Sequence, residues 1–241
     1  MAIAIAALVA PLRTFRLQSE QARQSWLYDA LMRVPILGWS ALIVLQSTMR
    51  LYDWIQTADP AMPAFTFGVN IAMRLSTIAF CALIAGTVVL RLRPAARARG
   101  LEPRFSALFG SFLVTGLVFF RCHELSFAGE MVSTILVLTG NALAVVALVQ
   151  LGRSFSIMAE ARRLVRSGLY GIIRHPLYLA EEIAIIGIVM QFLSVWTALL
   201  CVAHLAFQLR RIQNEENVLA SSFPEYSAYQ ARTARLLPGI Y

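Results

Sequence analysis

Long apolar runs joined by short polar links dominate the chain, and a membrane-spanning helix needs about 20 largely apolar residues. Six segments approach that pattern: Leu31–Leu51, Phe65–Leu90, Phe105–Phe120, Phe127–Leu151, Leu177–Phe192 and Val195–Leu209. The third, fifth and sixth are short. Only Leu193 and Ser194 separate the last two, which predicts a tight helical hairpin. Spans that short either cross incompletely or sit where the bilayer thins. No strand-type alternation and no internal repeat is visible. The expected fold is all-α, a polytopic membrane helical bundle of about six transmembrane helices. Residues 1–150 hold the N-terminal spans, and residues 151–241 hold the last hairpin with polar clusters on both sides of it.

Arginine placement orients this set. Arg13, Arg16, Arg23 and Arg33 lie at the start of the first span. Arg91, Arg93, Arg97, Arg99 and Arg104 lie between the second and third, and Arg153, Arg162, Arg163, Arg166 and Arg174 between the fourth and fifth. Arg210, Arg211, Arg232 and Arg235 follow the sixth. The alternate links carry Arg50 with Asp53 and Asp59, then Arg121 with Glu124, then no charge at Leu193–Ser194. Under the positive-inside rule both termini and the C-terminal region are cytoplasmic. The expected location is a bacterial inner membrane, with membrane lipid as a partner.

Composition agrees. The chain is 59% hydrophobic and 14% charged, whereas a soluble domain carries roughly 25% charged residues. The net charge of +8 comes from arginine alone, in clusters beside apolar segments, so it reads as topology and not as a nucleic-acid surface. The arginine-rich link between the second and third spans is an anchor that also meets anionic lipid. Cys81, Cys122 and Cys201 are isolated, without C-x-x-C or H-E-x-x-H spacing, so no metal site is expected. The first 12 residues are apolar with arginines only after them, which suits an interfacial helix better than a cleaved signal.

Two polar stretches do not fit core packing. One is Gly168–Tyr178, G-L-Y-G-I-I-R-H-P-L-Y, and the other is R-I-Q-N-E-E, Arg211 to Glu216. Pro176 suits the first turn of the fifth segment, which puts His175 at the N-cap beside unsatisfied N–H groups able to attract an anion. Glu181 and Glu182 follow Tyr178 at three and four positions, so at least one shares its face. His204, Gln208, Arg211 and Glu215 are spaced four, three and four apart and form one helical stripe. Such a stripe running out of an apolar segment lines either a cavity or an intramembrane polar network. Polar clusters flanking a membrane hairpin read as two walls of one site at the membrane surface. Arg74, inside the second span, needs a partner or a snorkelling route, with Glu130 as one candidate.

These stretches resemble the isoprenylcysteine carboxyl methyltransferase and phospholipid methyltransferase superfamily of integral membrane enzymes. The likeness covers roughly Leu151–Tyr241. It rests on L-G-R-S-F-S, L-V-R-S-G-L-Y, R-H-P-L-Y, the doublet Glu215-Glu216, and F-P-E-Y-S-A-Y ending in L-P-G-I. It implies S-adenosylmethionine as methyl donor. The implied donor contacts are Arg162, Arg163, Leu164, Val165, Tyr170, His175, Pro176, Leu177, Tyr178, Glu215 and Glu216. Arg211 matches the position that faces the methyl acceptor, with His204 and Gln208 farther along the same stripe, and Arg211 and Glu215 are the expected catalytic residues. The sequence departs from the family at Pro224, Ala180, Arg162 and Arg163, which loosens the assignment of the acceptor.

The residue types suit the chemistry. The donor has a carboxylate for a helix N-terminus or arginine, an ammonium and ribose for a carboxylate, and a sulfonium for aromatic faces. Methyl transfer is an in-line displacement that depends on alignment and water exclusion. A prenylcysteine-like carboxylate acceptor needs no base, whereas a phospholipid amine or small thiol does, which would engage His204 or a glutamate. Two further classes remain: a nicotinamide-dependent membrane reductase, where R-H-P-x-Y recurs, and a non-enzymatic transporter or lipid-binding protein.

Overall fold

A computed structural model describes residues 26–31 and 33–239. The expected N-terminal interfacial helix, Arg13, Arg16, Arg23 and the last two residues of the apolar tail lie outside the described residues. Each of the six apolar segments is helical. After a short α1 (Trp26–Leu31) come α2 (Val34–Thr57), α3 (Ala64–Leu90) and α4 (Glu102–Phe112), the last continued by a 3-10 stretch over Leu113–Phe119. Then follow α5 (Phe127–Leu151), α6 (Pro176–Val189) with a 3-10 end at Met190–Phe192, the long α7 (Val195–Ser222), and α8 (Tyr226–Gln230).

Local chemistry sets the helix starts. Pro35 and Pro176 sit in the first turns of α2 and α6, where a missing N–H costs nothing. Ser126 caps α5 by accepting from the Gly129 N–H. At the start of α7, the Ser194 hydroxyl accepts from Thr197 N at 3.1 Å and Ser194 N donates to Thr197 Oγ1 at 2.9 Å. This reciprocal capping box stops one helix and starts the next within two residues.

Among the described residues three helical stretches are long and apolar enough to cross a membrane: Asp29–Thr57, Ala64–Leu90 and Phe127–Ser154. That is fewer than the expected six. α4 and α6 are too short to pass as apolar rods, and the second half of α7 is polar. The expected tight hairpin also has a different form. α6 packs along α5 and α7 packs along α4, while α6 and α7 meet mainly through long side chains. One antiparallel pair, β1 (Ala96–Arg97) with β2 (Glu160–Ala161), was not expected, because two residues are too few to show alternation. It ties the arginine-rich link to the segment after α5.

Small residues set the α5–α6 distance. A Cβ on Gly140 would lie 2.5 Å from Ala184 N and 2.7 Å from Ala180 O, and one on Gly187 would lie 2.7 Å from Ser133 O. Ala180, where the related pattern has glycine, therefore faces a glycine across the seam. The Ser133 hydroxyl bonds Gly187 O at 2.7 Å, and Asn141 bonds Thr77 Oγ1 at 2.8 Å to join α5 to α3. Arg74 lies over the Trp54 ring at 5.0 Å, and Glu130 is exposed. Substitution Gly140→Ala is expected to push the two helices apart and cost about 1–3 kcal/mol. A lowered thermal unfolding midpoint in detergent, with Gly38→Ala in open space as control, checks this.

Candidate active site

The site begins where α5 ends. Gly152 (φ 52°) turns the chain out of α5, and Gly168 (φ 64°) turns it back towards α6. Both angles lie in the left-handed region that favours glycine. At Gly168 a Cβ would also lie 2.5 Å from Gln150 Oε1, the atom that accepts the Leu169 N–H at 2.8 Å. The returning segment is then held by the C-terminal tail. Arg174 N donates to Ala234 O at 2.8 Å, His175 N donates to Arg235 O at 3.1 Å, and the Tyr229 hydroxyl donates to Tyr170 O at 2.6 Å.

These turns enclose a cleft of about 410 Å³, a volume that includes its solvent-open mouth. Leu151, Ser154, Phe155, Ser156 and Glu160 line one side of it. Tyr170, Arg174, His175, Leu177 and Tyr178 line the next, and Glu215 closes it from α7. The two polar stretches, 37 residues apart at Tyr178 and Glu215, thus meet: the Tyr178 hydroxyl donates to Glu215 Oε2 at 2.5 Å. The Tyr178 ring stacks with the His175 ring at 5.3 Å, and the Arg211 guanidinium lies over it at 4.5 Å.

The neighbouring carboxylate has a different task. Glu216, 2% exposed, takes Arg174 Nε at 2.7 Å, His175 Nε2 at 3.1 Å and Arg235 Nη2 at 2.7 Å. Burial alone would raise its pKa, but the bonds from His175, Arg235 and Arg174 hold it down at about 2. Arg174 also donates to Gln230 O at 3.0 Å and to Thr233 O. Glu216 therefore joins α7, the α6 N-terminus and the tail, and does not line the cleft.

The stripe on α7 faces the carboxylates of α6. His204 Nε2 is 2.9 Å from Glu182 Oε1, and Gln208 Nε2 donates to Glu181 Oε2 at 3.3 Å. Arg211 Nη1 donates to Gln208 Oε1 and its Nε to Ile157 O, both at 3.3 Å. All three α7 side chains are buried. They continue the site as a polar seam between α6 and α7 and lie outside the lining of the cleft.

Other expected contacts sit apart from the cleft. Arg162 is buried against Glu160 (2.5 Å), Arg163 is exposed, Leu164 is half-buried, and Val165 packs on the apolar core. Pro176 is buried in the first turn of α6. Conversely, Leu151, Ser154, Phe155, Ser156 and Glu160 were not picked out individually, although L-G-R-S-F-S had marked the stretch. The Ser154 and Tyr170 hydroxyls are buried without a hydrogen-bond partner among the described residues. Burial, with the nearby Glu215 carboxylate, raises the Tyr170 phenol well above its ordinary range. Among the described residues no group of three or more His, Cys, Asp and Glu side chains could hold a metal ion.

The chain is similar to two curated proteins over about a third of its length. The cobalt-zinc-cadmium resistance protein CzcN of Cupriavidus metallidurans is 38% identical over 79 residues, 32% of this chain and 36% of that protein. The nickel-cobalt-cadmium resistance protein NccN of Alcaligenes xylosoxydans xylosoxydans is 32% identical over 84 residues, 34% of this chain and 38% of that protein. The chain thus matches well under half the length of either relative. Residues 132–221 match the sequence model of the isoprenylcysteine carboxyl methyltransferase family. Every residue that lines the cleft falls inside that stretch, so the likeness to the isoprenylcysteine carboxyl methyltransferase (ICMT) family is a likeness of the cleft region.

Proposed function

We propose that the chain is an integral-membrane methyltransferase that uses S-adenosylmethionine and methylates a lipophilic acceptor, foremost a prenylcysteine-like carboxylate. One observation carries the reading: His175 and Glu215, on opposite sides of an apolar hairpin in sequence, line one cleft. We place that cleft on the cytoplasmic face of a bacterial inner membrane. In this reading the six helical segments lie within the bilayer, three crossing as long rods and the short ones completing the bundle.

The cleft residues fit the donor's groups. Glu215 and Glu160 offer carboxylates to its ammonium and ribose hydroxyls. Phe155, Tyr170 and Tyr178 offer aromatic faces to adenine and sulfonium. Arg174 and the first turn of α6 favour its carboxylate. When bound, the donor supplies an electrophilic methyl group. The chain's own work is to align that group with the acceptor and keep water out, with Arg211 holding the acceptor's charge beside Tyr178.

Titration calorimetry on the purified protein in detergent tests this directly. Binding of S-adenosylmethionine or of its demethylated product is expected, and absence of both ends the proposal. Substitution Arg211→Ala is expected to lower kcat/KM for the acceptor by about 10- to 100-fold, the loss of a charge-assisted contact, while donor affinity stays within a few-fold.

One observation favours an amine or thiol acceptor as second reading. His204 has its Nε2 on Glu182 and its Nδ1 free of any hydrogen-bond partner among the described residues. A base oriented in this way is what a proton-bearing acceptor requires. A screen with labelled donor against carboxylate, amine and thiol lipids separates the two.

A further inference from the structure

A second charged cluster lies beside the cleft and shares only Glu160 with the site proposed above. Asp29 Oδ1 lies 2.8 Å from Arg91 Nη2, 3.7 Å from Arg97 Nη2 and 3.8 Å from Arg162 Nη2, and Asp29 Oδ2 lies 2.6 Å from Arg33. Glu160 Oε1 forms an ion pair with Arg97, 3.0 Å from its Nε, and Glu160 Oε2 accepts from Arg162 Nη2 at 2.5 Å. Among the described residues four guanidiniums thus share two carboxylates, and three of them converge on a single carboxylate oxygen. The side chains of Arg162 and Arg91 are 0% and 3% exposed. Arg162 Nε and Nη1, and Arg91 Nε, have no hydrogen-bond partner among the described residues. Burial and the neighbouring Arg162 push the Arg91 pKa down. Buried cations in excess of their counter-charges are destabilising unless an anion joins them.

The position of the cluster narrows the anion. Arg33 immediately precedes α2, and Arg91 immediately follows α3. Arg153, two residues beyond α5, donates from Nε to Leu90 O at 2.8 Å. The three longest apolar helices therefore end at this level, where lipid phosphates lie. Arg93, Arg99 and Arg163 are exposed in the same links. The geometry points to a binding site for the phosphate of an anionic lipid headgroup, built by Arg33, Arg91, Arg97 and Arg162, with Asp29 competing for the same guanidiniums. Guanidinium forks match phosphate oxygens, and a headgroup is presented at this height by the bilayer itself. Free phosphate shares the chemistry but not that placement.

The test uses the full chain in neutral detergent. Phosphatidic acid is titrated in, with phosphatidylcholine as zwitterionic control and inorganic phosphate as the free source. Native mass spectrometry reads retained lipid, and the thermal unfolding midpoint reads its effect. One phosphatidic acid per chain is expected to be retained in preference to phosphatidylcholine, and millimolar phosphate is expected to compete with it. Substitutions Arg33→Gln and Arg97→Gln, at the two less buried arms, are each expected to cut that preference about fivefold, the effect of one arginine at a membrane surface. Arg99→Gln is the control and leaves it unchanged. Asp29→Asn removes the competitor and is expected to raise the affinity about fivefold, the same single-charge effect. A cluster that is merely structural would give no such gain. Should Asp29→Asn fail to fold, the arginine variants decide alone. Equal retention of both lipids, or Arg33→Gln and Arg97→Gln indistinguishable from Arg99→Gln, overturns the assignment. A full effect from inorganic phosphate with no lipid preference overturns the headgroup as its source.

Discussion

Replacing Glu215 with alanine is expected to weaken S-adenosylmethionine binding about 10- to 150-fold, the cost of losing a hydrogen-bond acceptor that carries charge. Glu215 is the contribution of α7 to the cleft, half-buried, with the Tyr178 hydroxyl 2.5 Å away. Its removal takes away the carboxylate offered to the donor and leaves a buried phenol without its acceptor. The fold should tolerate the change, since the ion pairs that join α7 to the tail belong to Glu216. Calorimetry should therefore show a large loss of donor affinity beside a small change in unfolding midpoint. Tyr178→Phe in parallel measures the part carried by the hydroxyl alone. Should Arg211→Ala lose the donor while Glu215→Ala keeps it, the two walls have been assigned in reverse.

The helices were legible because hydropathy reports directly on lipid contact and burial. All six apolar segments are helical, and the two-residue link at Leu193–Ser194 is a helix boundary. Helix ends were less legible, because a helix need not stop where its apolar residues do. α7 continues thirteen residues beyond Leu209 to Ser222 through good helix formers. Apolar length also did not show where a segment changes helix type, since Phe105–Phe120 breaks into a short α-helix and a 3-10 stretch. The site was legible where one helix carries it, as with the stripe His204, Gln208, Arg211 and Glu215. It was illegible where loops converge. Glu160 and Ser154 reach the cleft through the positive-φ turns at Gly152 and Gly168 and through a two-residue strand pair. The doublet Glu215-Glu216 hid a division of labour. Adjacent helical residues point about 100° apart, so only one of them can face the cleft.

That second carboxylate should give the largest change in stability. Substitution Glu216→Gln keeps the volume and removes the charge that Arg174, His175 and Arg235 share. Breaking a buried pair from one side costs roughly 3–5 kcal/mol, because the partners stay buried without compensation. For a chain of this size that corresponds to a fall in unfolding midpoint on the order of 10 °C. The α6 N-terminus and the tail would loosen together, so donor binding should fall as a consequence and recover partly on cooling. The pH dependence separates this role from a direct contact with the donor. The Glu216 carboxyl is depressed from an ordinary 4.5 to about 2 in the folded chain. Its stabilisation is therefore complete above the ordinary value and is lost as pH falls towards the depressed one. The unfolding midpoints of wild type and Glu216→Gln should lie far apart above pH 5 and converge as the pH is lowered towards 2. A gap that stays constant across that range would mean that the charge of Glu216 does not hold the tail to the cleft.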